Sequence, residues 1–241
     1  MGLWVSWVKT KIQAFNDILD AAILSVPVCS EDVEVTERFT YLGSDIHVSA
    51  GCEPEVNINL DRAWGVMDSL DHGVWRSRYL CGRTKVRVLR SFVLPVLLCS
   101  CEAWTLTRDL RGRLNSFGTR SLRRILGSRW SDFVSNEWLL RETQIRFVTC
   151  IVHKRQLRLY GHVARFSDAA PAHQVLSARE PREWRRPMGR PRASWLQQVD
   201  QHLKKMGMGQ ASAWGVARRS PLEYRRKVDA ATRCSGACSH T

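Results

Sequence analysis

The sequence lacks the patterns that mark several common classes of protein. Its eight cysteines include no C-x2-C pair and have irregular gaps, so zinc ligands at short spacing are not indicated. The longest apolar run covers residues 92–99, whereas a membrane-spanning helix needs about 20 apolar residues. No secretory leader is recognised. We therefore predict no membrane association, reduced thiols, and an intracellular location in the nucleus or the cytoplasm.

Catalytic signatures are also missing. The sequence has no adjacent pair of aspartates, no nucleophile-elbow pattern and no glycine-rich phosphate loop. Nucleotidyl transfer by two metal ions needs clustered carboxylates, and Asp17 and Asp20 have the spacing and surroundings of a solvated turn. The cluster of Cys234, Cys238 and His240 has ligand chemistry but lacks a fourth partner. We expect no enzyme activity, no metal and no other cofactor for the chain as it stands.

Positive charge is abundant and unevenly distributed. The 37 Lys and Arg exceed the 23 Asp and Glu, which gives a net charge of +14. Residues 1–60 hold three basic and nine acidic side chains, whereas residues 108–192 hold 19 basic and seven acidic ones. Most of the excess is arginine, whose planar guanidinium suits phosphate. The basic second half predicts a polyanionic partner, and a solvated cationic surface is the alternative.

The apolar spacing predicts an α+β protein that is predominantly α-helical. β-Prone runs around Val33 and over residues 39–42, the second of which stops at Gly43, predict a small antiparallel piece that a Ser/Gly turn at 49–51 closes. Apolar residues then recur at helical spacing, and Pro95 should kink the second helix. We expect Cys99 and Cys101 to be buried as small hydrophobes. The predicted helices cover residues 56–70, 84–101, 107–126, 137–142, 147–166, 194–206, 210–218 and 222–232.

The predicted helix at 107–126 is amphipathic and basic. Arginines crowd its outer surface, and Gly127 is the expected C-terminal cap. Its inner face is marked by Leu110, Leu114, Phe117 and Ile125.

The predicted helix at 147–166 carries two stripes. One is apolar and consists of Val148, Val152, Leu159, Val163 and Phe166. The other is cationic and consists of Lys154, Arg158, His162 and Arg165. This pattern is typical of a helix that packs on a core and lies against phosphates, and an ordinary surface helix is the alternative.

Residues 167–193 form a predicted linker rich in proline and arginine. Within it, the stretch RRPMGRPR at 185–192 resembles an extended basic tether. Such a tether lies along a nucleic-acid backbone or in a minor groove, or serves as a nuclear import signal. A plain solvated linker is the alternative.

Ordered blocks of sequence resemble one known family over residues 2 to about 230. Residues 2–11 are similar to motif D of a polymerase palm, whose pattern is close to G-L-x-V-x-W-x-K-T-K, and residues 39–43 are similar to the primer grip, F-x-Y-L-G. Blocks at 94–98, 102–106, 122–127, 155–163 and 189–195 follow at the spacing of the family's thumb and post-thumb region. The chain thus resembles the C-terminal part of the reverse transcriptase of a LINE-type, non-LTR retrotransposon.

The resemblance implies a division of the chain. Residues 1–50 would be a palm remnant, 51–130 a helical thumb, 131–166 a basic helical extension, 167–193 the basic linker, 194–232 C-terminal helices and 233–241 a disordered tail. In this family the aspartates that hold Mg²⁺ precede motif D, so we expect them upstream of Met1. The motif D lysine, which is a proposed proton donor, matches Lys9. The primer grip matches Phe39, Tyr41, Leu42 and Gly43.

Together these patterns predict a fragment that binds RNA, DNA or their hybrid through the phosphate backbone, without sequence specificity. Three alternatives remain: a full RNA-directed DNA polymerase of which this chain is a truncated part, a non-catalytic helical module that self-associates through residues 92–98, and a remnant without function. The residues expected at the nucleic acid are Lys9, Lys11, Phe39, Tyr41, Leu42, Gly43, Arg123, Arg124, Lys154, Arg155, Arg158, His162, Arg165, Arg190 and Arg192.

Overall fold

In the computed structural model, the described residues are 6–7, 10–14, 23–29, 31–41, 44–47, 51–128, 130–178 and 193–232. Within these ranges the protein is mainly α-helical, and two separate two-stranded antiparallel sheets precede the helices. The predicted α+β class with a predominance of helix is therefore confirmed.

Two short hairpins make up the β structure. The strands are β1 (Ser25–Val28), β2 (Glu31–Glu34), β3 (Arg38–Tyr41) and β4 (Ser44–His47). β1 pairs with β2, and β3 pairs with β4 so that Phe39 lies opposite Ile46. Sheets of this size need other elements for stability. The second hairpin contacts the first helix, and the Ser44 hydroxyl donates a hydrogen bond to Glu55 Oε1 over 2.9 Å.

The first apolar core is built mainly by the helical elements that precede residue 144. These are α1 (Glu53–Ser69), a π-helical turn (Asp71–Trp75), α2 (Gly82–Val88), a second π-helical turn (Leu89–Val93), α3 (Leu94–Leu97), a 3-10 turn (Cys101–Ala103), α4 (Arg108–Leu126), a 3-10 turn (Trp130–Asp132) and α5 (Asn136–Thr143). α1 buries Val56, Ala63 and Met67 completely, as their spacing predicts.

Signals in the sequence define both ends of α4. At its N-terminus, the Thr107 side chain accepts a hydrogen bond from the Leu110 amide. At its C-terminus, Gly127 adopts a left-handed φ of 68°, and the amides of Gly127 and Ser128 donate to carbonyls of the last turn. The glycine cap is thus confirmed. So is the predicted inner face, since Leu110, Leu114, Phe117 and Ile125 are all buried.

Pro95 interrupts the helix that was predicted over 84–101. The π-helical turn precedes it, and there the Leu94 amide donates to the Leu89 carbonyl. Proline has no N–H, and its ring crowds the carbonyl four residues earlier, so a wider turn accommodates it.

The end of α3 determines the environment of the two neighbouring cysteines. The helix stops at Leu97, and the chain turns at Ser100, which has a φ of 55°. As a result Cys101 is buried but Cys99 is exposed. The prediction that both thiols are buried is therefore wrong for Cys99.

The second apolar core is built by the helices that follow α5. These are α6 (Val148–Val163), α7 (Pro171–Ser177), α8 (Trp195–Lys205), α9 (Gln210–Arg219) and α10 (Pro221–Ala231). α6 belongs to both cores, since Val152 lies in the first and Leu157 and Tyr160 lie in the second. Its predicted apolar stripe is only partly right. Leu159 stays partly exposed because α6 turns a different face to each core, and Phe166 stays partly exposed because α6 ends at Val163.

The predicted linker differs from expectation at its start. α7 occupies part of it, and Pro171 takes the first helical position, where proline is favoured. Residues 179–192 lie outside the described residues. In the part of the chain that is described, no helix is long and apolar enough to cross a membrane.

Polar side chains join the two cores at the segment between residues 98 and 106. The Gln198 side chain of α8 accepts from the Leu106 amide at 3.0 Å and donates to the Leu106 carbonyl at 2.8 Å. The Gln156 side chain of α6 donates to the Trp104 carbonyl at 2.6 Å. Both glutamines are buried. They satisfy backbone groups that would otherwise be buried without partners.

Two histidines pack against each other at the same junction. The rings of His153 on α6 and His202 on α8 have centroids 3.9 Å apart, and neither Nε2 atom has a hydrogen-bond partner among the described residues. Burial is the main cause that lowers the pKa of His153 from 6.5 to about 2 and that of His202 to about 4. The charges of Arg111 and Lys205 act in the same direction. Both imidazoles are therefore neutral at neutral pH.

Candidate nucleic-acid interface

Two cationic side chains of α6, one turn apart, face α10. Lys154 Nζ and Arg158 Nη2 lie 2.8 Å and 3.1 Å from the same carboxylate oxygen of Asp229 on α10. The hydrogen bond from Lys154 is the largest cause that lowers the pKa of Asp229, and the charge of Arg158 adds to it. This carboxylate therefore stays ionised and holds α10 beside the cationic stripe of α6.

A basic pocket lies between the two helices. We call it the α6–α10 basic pocket, and it has a volume of about 320 Å³. No acidic side chain is found among the described residues that line it. Its lining consists of Arg158, His162, Arg165, Tyr224 and Arg225. Arginine guanidinium groups on a concave surface are the preferred donors for phosphate oxygens.

Gly161 determines how closely α6 and α10, which form the walls of the pocket, approach each other. A Cβ atom at this position would lie 2.3 Å from Tyr224 Cε1, so only glycine fits here without movement of α10. The Tyr224 hydroxyl donates to the Leu157 carbonyl at 2.8 Å, and burial raises the pKa of this phenol above its usual range. Tyr224 is therefore a fixed, uncharged part of the pocket wall.

His162 on α6 and Arg165, which follows the end of α6, contact each other in the pocket. Arg165 Nη1 donates to the Gly161 carbonyl one turn earlier. Its Nη2 lies 3.4 Å from His162 Nδ1, and the His162 ring packs edge to face on Phe166, with centroids 4.8 Å apart. These contacts are local and use only some of the five N–H donors of the Arg165 guanidinium. The other donors remain available to a ligand in the pocket.

Other arginines that were predicted to meet nucleic acid make intramolecular contacts. Arg155 Nη1 donates to the Leu98 carbonyl at 2.6 Å. Arg123 Nη2 donates to the Val134 carbonyl at 3.0 Å. Arg124 binds the carboxylates of Asp68 and Asp71 at 2.6 Å and 2.9 Å, which links α4 to α1 and to the first π-helical turn. Arg123 and Arg124 thus join elements of the first core, and Arg155 joins α6 to the segment that follows α3.

The predicted primer-grip and motif D residues that the structure describes lie far from this pocket in the sequence. Phe39 and Tyr41 are in β3, and Lys11 forms an exposed ion pair with Glu34 of β2. The remaining predicted residues lie outside the described ranges and are Lys9, Leu42, Gly43, Arg190 and Arg192.

The structure adds two residues that the sequence reasoning did not select. Tyr224 and Arg225 reach the pocket from α10, where they begin the run Tyr-Arg-Arg-Lys at 224–227. That run was a visible signal of positive charge. Its position opposite Arg158 depends on the packing of α10 against α6, which the local sequence does not reveal.

The apolar segment at 92–98 is largely used inside the protein. Val93, Leu94, Leu97 and Leu98 belong to the first core, whereas Phe92 is 62% exposed. Hence a surface for self-association through this segment would centre on Phe92.

Metal ligands are not grouped in the described part of the chain, where no three His, Cys, Asp or Glu side chains come together. In that part, the cysteines at 29, 52, 81, 99 and 101 carry free thiols. No family model, curated protein or solved structure matches this chain.

Proposed function

We propose that this protein binds the phosphate backbone of RNA, DNA or their hybrid, without sequence preference, through the α6–α10 basic pocket. The observation that supports the proposal is the convergence of Arg158, Arg165 and Arg225 on one concave surface, with His162 beside them. The net charge of +14 adds long-range attraction for a polyanion.

The ion pairs around the pocket are compatible with phosphate binding. The side chain of Arg158 is 50% exposed and that of its partner Asp229 is 35% exposed. Exposed pairs of this kind contribute only about 0–1 kcal/mol, so exchange of the carboxylate for a phosphate has a small energetic cost. Lys154 continues to hold Asp229 when Arg158 turns to the ligand.

A second part of the proposal concerns the evolutionary origin of the chain. We infer that it derives from the thumb and post-thumb region of a LINE-type reverse transcriptase, with the β3–β4 hairpin as the primer-grip remnant. In this view nucleic-acid binding persists in the chain, whereas Mg²⁺-dependent nucleotidyl transfer belongs to the parent polymerase. The order of the sequence blocks and the mainly helical fold support this inference.

A salt titration tests the function. Labelled hybrid, duplex and single strands are titrated by fluorescence anisotropy at several salt concentrations. For about six neutralised phosphates, log affinity should fall with log salt at a slope of roughly −5 on duplex DNA. The double variant Arg158→Gln/Arg225→Gln should bind more weakly on every sequence and lose about two units of that slope.

A matched control separates the pocket from total charge. The double variant Arg83→Gln/Arg87→Gln removes the same charge from α2, at exposed positions outside the pocket. It should retain more affinity than the pocket variant. Equal losses for both variants, or binding that ignores salt, would contradict the proposal. A primer-extension assay on the same protein tests the second part, since unaided extension would contradict a purely binding role.

A further inference from the structure

A larger groove lies between α1 and α4, outside the α6–α10 basic pocket. Its volume is about 810 Å³. Its lining includes two aromatic residues, three arginines and two acids: Trp64, Phe117, Arg108, Arg113, Arg120, Asp61 and Asp109. Nothing in the proposed function uses this groove. It combines an aromatic ring with several arginines.

Trp64 lines this groove and has a fixed position. Its ring packs edge to face on Phe117, with centroids 4.7 Å apart and an interplanar angle of 66°. Phe117 itself is buried, whereas Trp64 is partly exposed. The groove therefore contains an indole that a second planar ring can contact and that the core prevents from turning away.

The charges along α4 suit an extended polyanion. Arg108 and Arg120 have no hydrogen-bond or ion-pair partner among the described residues, and both are exposed. They are twelve residues apart, or about 18 Å along the helix axis, so they would meet different phosphates of one strand. Arg113 between them is only weakly held, at 3.7 Å from Glu53 and 4.0 Å from Asp109.

We propose that the α1–α4 groove binds an unpaired nucleotide of a single strand, with its base stacked on Trp64 and the flanking phosphates held by Arg108 and Arg120. Bases in a duplex are already stacked on both faces, whereas those of a single strand offer a free face to an aromatic side chain. This inference rests on the proposed function and narrows it, since the preferred partner is then a single strand or a strand with an unpaired end.

Variants of Trp64 test the groove. Trp64→Leu should weaken binding of a labelled single-stranded oligonucleotide about 5- to 150-fold, the range for loss of one stacked base. Trp64→Phe keeps an aromatic ring and should retain most of the affinity. Trp138→Leu is the matched control, because this tryptophan on α5 is 47% exposed and lies outside the groove lining. Binding of blunt duplex should be the same in all three variants.

The outcomes separate this inference from the proposed function. If Trp64→Leu binds single strands as wild type does, while the pocket variant still loses affinity, only the groove proposal is overturned. If wild type binds no nucleic acid at low salt, both are overturned. An equal loss on single strand and duplex would indicate a folding defect, and urea unfolding would detect it. In that case the groove is tested by photo-cross-linking of a 5-iodouridine oligonucleotide to the wild-type protein. Attachment at Trp64 would support binding in the groove, and attachment only at other residues would overturn it.

Discussion

Gly161→Ala tests the close approach of α6 and α10 on which the basic pocket depends. The added Cβ would lie 2.3 Å from Tyr224 Cε1 and 2.7 Å from Tyr224 Cδ1. Carbon atoms in favourable contact are about 3.5–4.0 Å apart, so one of the two helices must shift. Tyr224 has little freedom to move, because it is only 1% exposed and its hydroxyl donates to the Leu157 carbonyl.

The expected magnitude follows from three contributions. Overpacking of a core by one methyl group costs about 1–3 kcal/mol. Displacement of the Tyr224 hydroxyl from its buried partner adds about 1 kcal/mol. The higher helix propensity of alanine offsets about 0.5–1 kcal/mol. The free energy of unfolding should therefore fall by about 1–3.5 kcal/mol, and Tm by about 2–4 °C for each kcal/mol in a protein of this size.

Urea unfolding followed by circular dichroism measures the loss, and Gly65→Ala is the matched control. Gly65 lies on the exposed side of α1, and a Cβ there meets nothing within 4 Å. This substitution should leave stability unchanged or raise it by up to about 1 kcal/mol. In a Tyr224→Ala background, Gly161→Ala should lose most of its penalty because the ring is gone. Equal unfolding midpoints for Gly161→Ala and Gly65→Ala would show that Tyr224 leaves room for a side chain at position 161.

Two further predictions concern the junction between the cores. Stability should fall as the pH drops from about 7 to about 5, since the pKa values of His153 and His202 are depressed in the folded state and the unfolded chain takes up protons first. The free energy of unfolding should fall by up to about 2 kcal/mol per imidazole, and urea unfolding at each pH measures this loss. If the stability of a His153→Leu/His202→Leu variant declined equally steeply with pH, the two histidines would not be the cause. Gln198→Leu should lower the free energy of unfolding by about 2–5 kcal/mol, because it leaves both the Leu106 amide and the Leu106 carbonyl without a partner. Gln201 is exposed on the same helix, so Gln201→Leu should change stability by less than about 0.5 kcal/mol. Similar unfolding midpoints for Gln198→Leu and Gln201→Leu would show that the junction does not depend on this glutamine.

Features that depend on a few neighbouring residues could be predicted from the sequence. The length of α4 follows from Thr107 and Gly127, and its buried face follows from apolar spacing alone. The exposure of Cys99 could not be predicted in this way, because it depends on where α3 ends after Pro95. The partial failure of the α6 stripe has a similar cause. A single periodicity describes a helix that packs on one core, and α6 packs on two.

The candidate site illustrates the same limit for charged residues. Arg124 and Arg158 are both cationic residues on amphipathic helices, and the sequence offers no reason to treat them differently. In the structure, Arg124 is bound between two carboxylates from another part of the first core, whereas Arg158 lines a pocket with Arg225. The difference arises from contacts more than 50 residues apart in the chain, so it could be found only once α4, α6 and α10 were in place.

The same distinction applies to the segment at 155–163, which is one of the sequence blocks behind the proposed origin of the chain. Arg155 and Gln156 bond to backbone carbonyls of the junction, Tyr160 donates to the Gln210 carbonyl, and Gly161 accommodates Tyr224. A chain could therefore keep this segment because the fold requires it, whether or not it binds nucleic acid. Only Arg158, His162 and their partners from outside the segment therefore bear on nucleic-acid binding. For this reason the decisive substitutions are those in the pocket, since changes elsewhere in the segment would weaken folding and binding together.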